Sequence, residues 1–153
     1  MRTDFRGFTL LELIITIGIL TIISVATLSG LMSFRAESAL RKAVDNAENV
    51  LKDARSKTLS SINGYSYGVY FTASTTTLFR GLSYAPAATT TNEILYLPQE
   101  VEISNVTLSA SSTAFRRLTG EATATGTVTF RLKRSPTKTK TITIYGSGLY
   151  ATQ

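Results

Sequence analysis

The 153-residue chain contains no cysteine, no histidine and no tryptophan, and only three prolines. The absence of cysteine excludes disulfide bonds and leaves the redox compartment undetermined. Without cysteine and histidine, the common zinc sites, Ser-His-Asp triads and cysteine nucleophiles are also excluded. The length fits one compact domain with at most one appended element. The 16 Lys and Arg residues exceed the 10 Asp and Glu residues, and this charge of +6 permits anionic partners without identifying one.

Residues with catalytic potential are scattered along the chain. Residues 64–153 contain no aspartate, which disfavours a calcium site. Gly146-Ser147-Gly148 is too short for a phosphate-binding glycine motif and is interpreted as a turn. The acidic residues of the second half show no paired spacing: Glu93, Glu100, Glu102 and Glu121. We therefore expect no enzymatic activity, no bound metal and no cofactor.

Charge is nearly absent from the segment that follows the polar leader Met1–Gly7. Glu12 is the only charged residue from Phe8 to Met32, and no residue from Leu13 to Phe34 is charged. As a helix, that uncharged run extends about 33 Å, enough to cross the hydrocarbon core of a bilayer. Its apolar residues cover all sides, which favours lipid or a buried bundle over a soluble surface helix. A cleaved secretory signal peptide and a plain signal anchor both fit this pattern, but neither explains the acid.

Glu12 requires an explanation because a carboxylate in an apolar span costs about 2.5–3.5 kcal/mol at the helix centre, and less near its end. The sequence has no Lys or Arg between residues 7 and 34 that could pair with it. Cleavage after Gly7 would create a cationic α-amino group on Phe8, about 6 Å from Glu12 along a helix. Pairing of that amine with Glu12 of an adjacent chain would neutralise both charges and fix the stagger between two helices.

The segment Gly7-Phe8-Thr9-Leu10-Leu11-Glu12, between a basic leader and a long apolar run, resembles the type IV prepilin signal of pilins and type II secretion pseudopilins. The resemblance implies cleavage after Gly7 by a membrane prepilin peptidase, N-methylation of Phe8 and an assembly role for Glu12. It also implies a single-pass protein of the inner (cytoplasmic) membrane, with an extracytoplasmic C-terminal domain, that joins other pilin or pseudopilin subunits in a filament. Many members have a proline in the second half of this segment. Here residues 26–30 read ATLSG, so Gly30 is the candidate for softening the helix instead.

The helical pattern continues beyond the apolar run and becomes amphipathic. Apolar residues recur at spacings of three and four, which predicts one buried stripe: Leu40, Ala43, Val44, Ala47, Val50, Leu51 and Ala54. Three i,i+4 pairs of opposite charge support this helix: Glu37 with Arg41, Glu48 with Lys52 and Asp53 with Lys57. Asn63-Gly64 is the first stop signal, so we predict a single helix of about 50 residues. The side chains of this stripe are small, which favours packing of the helix on a sheet over a coiled-coil dimer.

After Gly64 the apolar period changes to two, which predicts an antiparallel β-sheet. The expected strands are Tyr67–Thr72, Thr77–Arg80, Leu82–Tyr84, Glu93–Leu97, Val101–Leu108, Phe115–Leu118, Thr127–Lys133, Thr139–Tyr145 and Leu149–Ala151. Turns are expected at residues 73–76 and at Ser135-Pro136-Thr137. Val128, Phe130 and Leu132 should face one side of their strand. The fold class is therefore α+β and pilin-like, one long N-terminal helix packed on an antiparallel β-domain.

The whole layout is similar to the GspH/FimT-type minor pseudopilins. The residues that carry this similarity are the YGVYF strand, the LPQEVEIS stretch and the closing GTVTFRL and KTITIYGSG hairpin. Most major pilins have a C-terminal disulfide loop, which a chain without cysteine cannot form. The resemblance implies four segments: leader 1–7, transmembrane or filament-core helix 8–34, amphipathic helix 35–63 and β-domain 64–153.

A cluster of basic residues suggests a second hypothesis. The cations around the last long hairpin are Arg131, Lys133, Arg134, Lys138 and Lys140, with Arg116 and Arg117 upstream. They are interpreted either as a solvated edge that discourages aggregation or as a DNA contact of a pilus subunit, with Tyr145 and Tyr150 available for stacking. A membrane-anchored binding module that forms no filament is the remaining alternative.

Overall fold

The computed structural model of the chain describes residues 8–88 and 90–153, and for residues 25–30 it describes the backbone alone. A single helix, α1, runs for 50 residues from Leu10 to Leu59. The long helix predicted from the sequence is therefore confirmed, and it is continuous through the ATLSG segment. Across the part of the chain that the structure describes, no helix has the length and hydropathy of a membrane-spanning segment, so the span predicted for residues 8–34 is not confirmed.

The chain divides into two compact units, although α1 contributes to both. The first unit ends at Arg35, and the second extends from Ala36 to Gln153. The second unit contains the remainder of α1, all the described strands and the buried hydrophobic core.

Local charge pairs support the second half of α1. Arg41 Nη2 lies 3.2 Å from Glu37 Oε1, and Lys57 Nζ lies 2.8 Å from Asp53 Oδ2. The hydrogen bond to Asp53 is the main reason why the pKa of Lys57 lies above its usual value, and partial burial opposes it. Two of the three predicted i,i+4 pairs are therefore present.

The third predicted pair, between Glu48 and Lys52, is not among the ion pairs of the described residues. The Glu48 carboxylate accepts a hydrogen bond from the Thr152 hydroxyl instead. A tertiary contact has thus replaced a local one, because the last strand passes beside this turn of the helix.

The chain reverses direction just after α1. A 3₁₀ turn spans Ile62–Gly64, with positive φ angles of 54° at Asn63 and 71° at Gly64. Asparagine and glycine adopt this left-handed conformation more readily than other residues. The helix itself ends at Leu59, and Ser61 is already left-handed with a φ of 48°, so α1 stops four residues before the predicted signal at Asn63-Gly64.

Within the residues that the structure describes, eight strands form two antiparallel sheets, where the sequence predicted one. The strands are β1 Tyr67–Phe71, β2 Thr75–Arg80, β3 Glu93–Tyr96, β4 Val101–Val106, β5 Ser112–Ala114, β6 Gly126–Leu132, β7 Ser135–Ile144 and β8 Tyr150–Thr152. One sheet has the order β3-β2-β1-β5 and the other has the order β4-β6-β7-β8. The prediction of one sheet is therefore corrected to two. Periodicity in the sequence identifies strands, but it does not show which strands pair with each other.

The core lies between the apolar stripe of α1 and the inner faces of the strands. Leu51 and Ala54 of the helix are fully buried, and so are Val69 of β1 and Phe130 of β6. The other predicted stripe residues are buried as well, apart from Val50, which is half-buried. Along β6 the buried residues alternate with partly exposed ones, as predicted. The stripe of α1 packs on the strands, as predicted, and not on a second helix in a coiled-coil dimer.

Two predicted short strands are wrong. Leu82–Tyr84 forms a bend in which the Tyr84 ring stacks on Tyr70, with ring centroids 4.0 Å apart. The residues Phe115–Leu118 contribute only one isolated bridge, from Phe115, and Leu118 has a φ of 74° in a loop. In both segments aromatic or apolar residues gave a strand-like pattern, but neither segment forms a continuous strand.

The hairpin between β6 and β7 turns at Lys133-Arg134, and not at Ser135-Pro136-Thr137 as predicted. The register shifts just after the turn, so that residues 136–138 bulge from β7. Proline has no N–H to donate to a ladder, and a bulge is one of the few strand positions that accept it. Proline therefore marks the bulge in this hairpin.

Arg55 of α1 fastens two loops to the end of the helix. Its Nε donates to the Gly120 carbonyl at 3.2 Å, and its Nη2 lies 3.5 Å from the Ser147 carbonyl. Gly148 has a φ of 75°, and a Cβ at this position would clash with the Gly120 carbonyl oxygen. The Gly146-Ser147-Gly148 turn predicted from the sequence is thus also a place where two backbones approach closely.

Candidate functional site

The start of α1 is organised by Thr9. The backbone N–H of Glu12 donates to Thr9 Oγ1 at 3.2 Å, and the N–H of Leu13 donates to the Thr9 carbonyl at 3.2 Å. A threonine followed three residues later by glutamate is the capping-box spacing. Thr9 was not among the site residues predicted from the sequence, although this spacing just before an apolar run is a readable signal.

The Glu12 side chain has two properties at this position. A carboxylate in the first turn is stabilised by the partial positive charge of the helix N-terminus. Glu12 is exposed and forms no ion pair with any residue in the described ranges. The carboxylate is therefore held at the helix start, and its charge is not neutralised by a cation of the described chain.

Phe8, the predicted new N-terminal residue after cleavage, lies immediately before this cap. Its side chain is exposed, and it lies four residues before Glu12. Gly7 and the leader 1–7 lie outside the described residues, so the predicted cleavage after Gly7 stays a prediction.

The first part of α1 exposes apolar side chains on all sides within the single chain. Two of its threonines use their hydroxyls on the helix itself: Thr16 Oγ1 donates to the Leu13 carbonyl at 2.9 Å, and Thr21 Oγ1 donates to the Ile17 carbonyl at 2.7 Å. Such local bonds satisfy hydroxyl donors without a partner from outside the helix. The surface offered by this segment is therefore almost entirely apolar, with Glu12 as its only charge.

The five hairpin cations are not brought together on one surface. Arg131 Nε lies 2.6 Å from Glu102 Oε1, on the side of β6 opposite its buried residues. Lys138 Nζ lies 3.6 Å from Glu37 Oε2 of α1. Two of the five cations are thus committed to ion pairs within the chain.

The other three cations also divide between locations. Lys140 is the register partner of the buried Phe130, so the two side chains share the face of the sheet that meets the helix. Lys133 and Arg134 are exposed at the hairpin turn. The nucleic-acid contact predicted for these cations stays a prediction.

Comparison with known proteins adds one finding to this geometry. Residues 2–28 match the family described as the prokaryotic N-terminal methylation motif. The chain carries a prepilin-type methylation signal. No curated protein and no solved structure matches the chain. The matched segment includes Gly7, Phe8 and Glu12, so the prediction of a prepilin-type signal is confirmed, and it supports a type IV pilin-like protein.

Proposed function

We propose that the chain is a structural subunit, and not an enzyme, of a type IV pilus or a type II secretion-like filament. A prepilin peptidase removes residues 1–7 after Gly7, and Phe8 becomes the methylated N-terminus. The N-terminal segment holds the subunit in the inner membrane, with the β-domain on the extracytoplasmic side. The same segment later packs with neighbouring subunits in the filament. The observation that carries this proposal is the methylation motif matched over residues 2–28.

The surface of the first unit supports packing against lipid or other helices. Exposed apolar side chains cover the described part of this helix, and residues 13–34 contain no charge. Exposed apolar area of this extent requires a non-aqueous environment, because each Å² kept in water costs about 25 cal/mol. A bilayer before assembly and a bundle of equivalent helices after assembly both provide that environment.

Glu12 supports an assembly role that a plain anchor lacks. Its charge has no cationic partner among the described residues, and the cleaved amine of Phe8 on a neighbouring subunit would supply one. Two neutralised charges in an apolar filament core would also set the axial stagger of the subunits. The role as a minor pseudopilin of the GspH/FimT type is a narrower proposal, supported by the single long helix, the closing Gly-rich hairpin and the absence of cysteine.

Processing is tested by intact-mass analysis of the protein purified from membranes of its native host. We expect a chain that begins at Phe8 and carries one additional methyl group. A chain that retains Met1 would contradict the proposal and leave a membrane-anchored binding module as the alternative.

Assembly is tested by replacing Glu12 with glutamine, which keeps the side-chain shape and removes the charge. We expect Glu12→Gln to reach the membrane at the wild-type level but to enter sheared filaments much less. Glu37→Gln, which neutralises an exposed acid of the second unit, is the matched control and should assemble normally. Normal incorporation of Glu12→Gln would refute the role assigned to the carboxylate.

A further inference from the structure

Strand β3, Glu93–Tyr96, forms an exposed apolar edge of the β3-β2-β1-β5 sheet. It pairs only with β2, and its other side is free of any strand in the described chain. Its three apolar side chains are exposed on both faces: Ile94 by 52%, Leu95 by 36% and Tyr96 by 73%. We call this strand, with its outward backbone groups, the β3 edge.

The hydrogen-bond pattern shows which backbone groups point outward. The N–H of Leu97 donates to the Ser74 carbonyl at 2.9 Å, so this pair is hydrogen-bonded within the ladder. Hydrogen-bonded and non-hydrogen-bonded pairs alternate in an antiparallel ladder, so Leu95 also bonds toward β2. The N–H and C=O groups of Ile94 and Tyr96 therefore point away from the sheet, where the described residues offer them no backbone partner.

The β3 edge is short, with four residues, but it has no bulge, lysine or proline within the strand. Natural edges are protected by bulges, short length, lysine or proline. Strand β4 has a register irregularity between Ile103 and Asn105, and β5 and β8 have only three residues each. The only charge on the β3 edge is Glu93, which lies 3.6 Å from Lys57 of the same chain. This edge is therefore open, uninterrupted and nearly neutral.

We propose that the β3 edge pairs with the β3 edge of a second copy of this chain, antiparallel about a two-fold axis. The two four-stranded sheets would then form one continuous sheet of eight strands. The outward groups of Ile94 would exchange both hydrogen bonds with those of Tyr96 in the second copy, and Leu95 would face its own equivalent. This contact does not require a filament, but its expected occurrence in membranes rests on the membrane anchoring in the proposed function.

The side chains argue for a second copy as the occupant. In this register each Ile94 faces a Tyr96, and pairs of an aromatic with a β-branched residue are favourable across strands. The two-fold axis repeats that pair, and Glu93 faces Leu97, so no like charges meet. A highly charged peptide would find no complementary charge along this edge. The strand is thus complementary to itself.

The size of the contact determines where it should be observed. Four residues on each side form an interface well below the roughly 1,600 Å² of a standard stable complex. Anchoring in one membrane raises the effective concentration of the two copies. We therefore expect the pairing in membranes and not in dilute detergent.

Single-cysteine variants of the full chain test the register, because the natural chain contains no cysteine. Leu95 would lie about 4.5 Å from its equivalent between Cα atoms, within the range for a disulfide. Two Ile94 residues would be about 8 Å apart, beyond the limit of about 7 Å. After oxidation in membranes, we expect Leu95→Cys to form a disulfide-linked homodimer, whereas Ile94→Cys and Tyr96→Cys alone do not. Co-expression of Ile94→Cys with Tyr96→Cys should restore the cross-link.

Further variants separate the contact from general collision and from the filament. Adding Ile94→Lys to Leu95→Cys should abolish the cross-link, whereas Ala151→Lys on the exposed strand β8 should leave it unchanged. A Gly7→Val change that blocks processing should also leave it unchanged, so failure of the filament proposal would not imitate failure of this one. Absence of the Leu95→Cys dimer in membranes in which immunoblotting detects the variant would overturn the proposal, whereas absence of the variant from membranes would contradict the anchoring. Equal dimer formation at all three positions, or cross-linking of Leu95→Cys only to a different protein, would overturn it as well.

Discussion

The two halves of α1 have the same helical geometry but opposite surroundings. In the first half, Leu20 is 63% exposed, and its apolar neighbours are exposed on every side. In the second half, Leu51 is 0% exposed, and the residues on its stripe are covered by the strands. The chain therefore supplies the core for one half, whereas the described apolar side chains of the other half stay exposed within the chain. The same helix thus contributes to the folded core at one end and, in the function proposed above, forms an association surface at the other.

The largest expected effect tests this contrast with the same substitution at both positions. Leu51→Ala removes a fully buried side chain and should lower the free energy of unfolding by about 2–5 kcal/mol. Leu20→Ala should change it by less than about 0.5 kcal/mol, because the Leu20 side chain is largely exposed. Denaturation of the full chain in detergent micelles, followed by tyrosine fluorescence, measures both, since all seven tyrosines lie in the β-domain. Equal losses would mean that the first half belongs to the same core.

The next effect concerns the loop that Arg55 fastens to the second half of α1. Gly148→Ala places a Cβ against the Gly120 carbonyl at a positive φ, and we expect a loss of about 1–3 kcal/mol in the free energy of unfolding. Gly146→Ala is the matched control, because its Cβ would meet nothing closer than 3.7 Å. The same denaturation measurement compares the two. If both variants lose the same stability, the close approach at Gly148 is not the cause.

Gly146 and Gly148 also show what could and could not be predicted from the sequence. The turn at 146–148 was predictable because glycine interrupts a strand pattern. The close approach of residues 148 and 120 was not predictable, because it depends on where a distant loop returns. The division of the strands into two sheets has the same cause, since β1 pairs with β5 across more than forty residues.

The predictions of secondary structure and burial that were confirmed rest on local periodicity in the sequence. The stripe of α1 and the alternation of β6 follow from side-chain spacing alone, and the structure buries the residues expected. The signal at Gly7 to Glu12 was readable because cleavage and methylation signals are linear in sequence. The hairpin cations are close together in sequence. In the structure they lie on different faces of the sheet or at the turn, because side chains alternate between the two faces along a β-strand.

A smaller effect is expected at the start of the exposed half. Thr9→Ala removes the acceptor for the Glu12 N–H, and loss of such a cap costs about 1 kcal/mol. We therefore expect the Glu12 amide hydrogen to exchange about fivefold faster in micelles. Thr9→Ser keeps the hydroxyl and should exchange at the wild-type rate. The free energy of unfolding of the β-domain should stay unchanged in both variants, and a change there would contradict the independence of the two halves.

The smallest effect is electrostatic and lies where the second half begins. The hydrogen bond from Arg41 is the first cause, and the charge of Lys138 the second, of a Glu37 pKa below its usual value. Since the folded pKa is the lower one, this contribution to stability is present above the unfolded pKa and is lost as the pH falls through the folded pKa. The group is exposed, so the effect on unfolding should be slight.

Carboxyl NMR titration of the full chain measures this effect directly on Glu37. Arg41→Ala should raise the pKa of Glu37 more than Lys138→Ala, because the hydrogen bond from Arg41 contributes most. Lys140→Ala is the matched control, since Lys140 is a nearby cation of the same strand that does not contribute to the shift. If Lys140→Ala raised the pKa of Glu37 as much as Lys138→Ala, the shift would reflect the general positive charge of the hairpin. The 3.6 Å contact between Lys138 and Glu37 would then have no specific role in joining the hairpin to the helix.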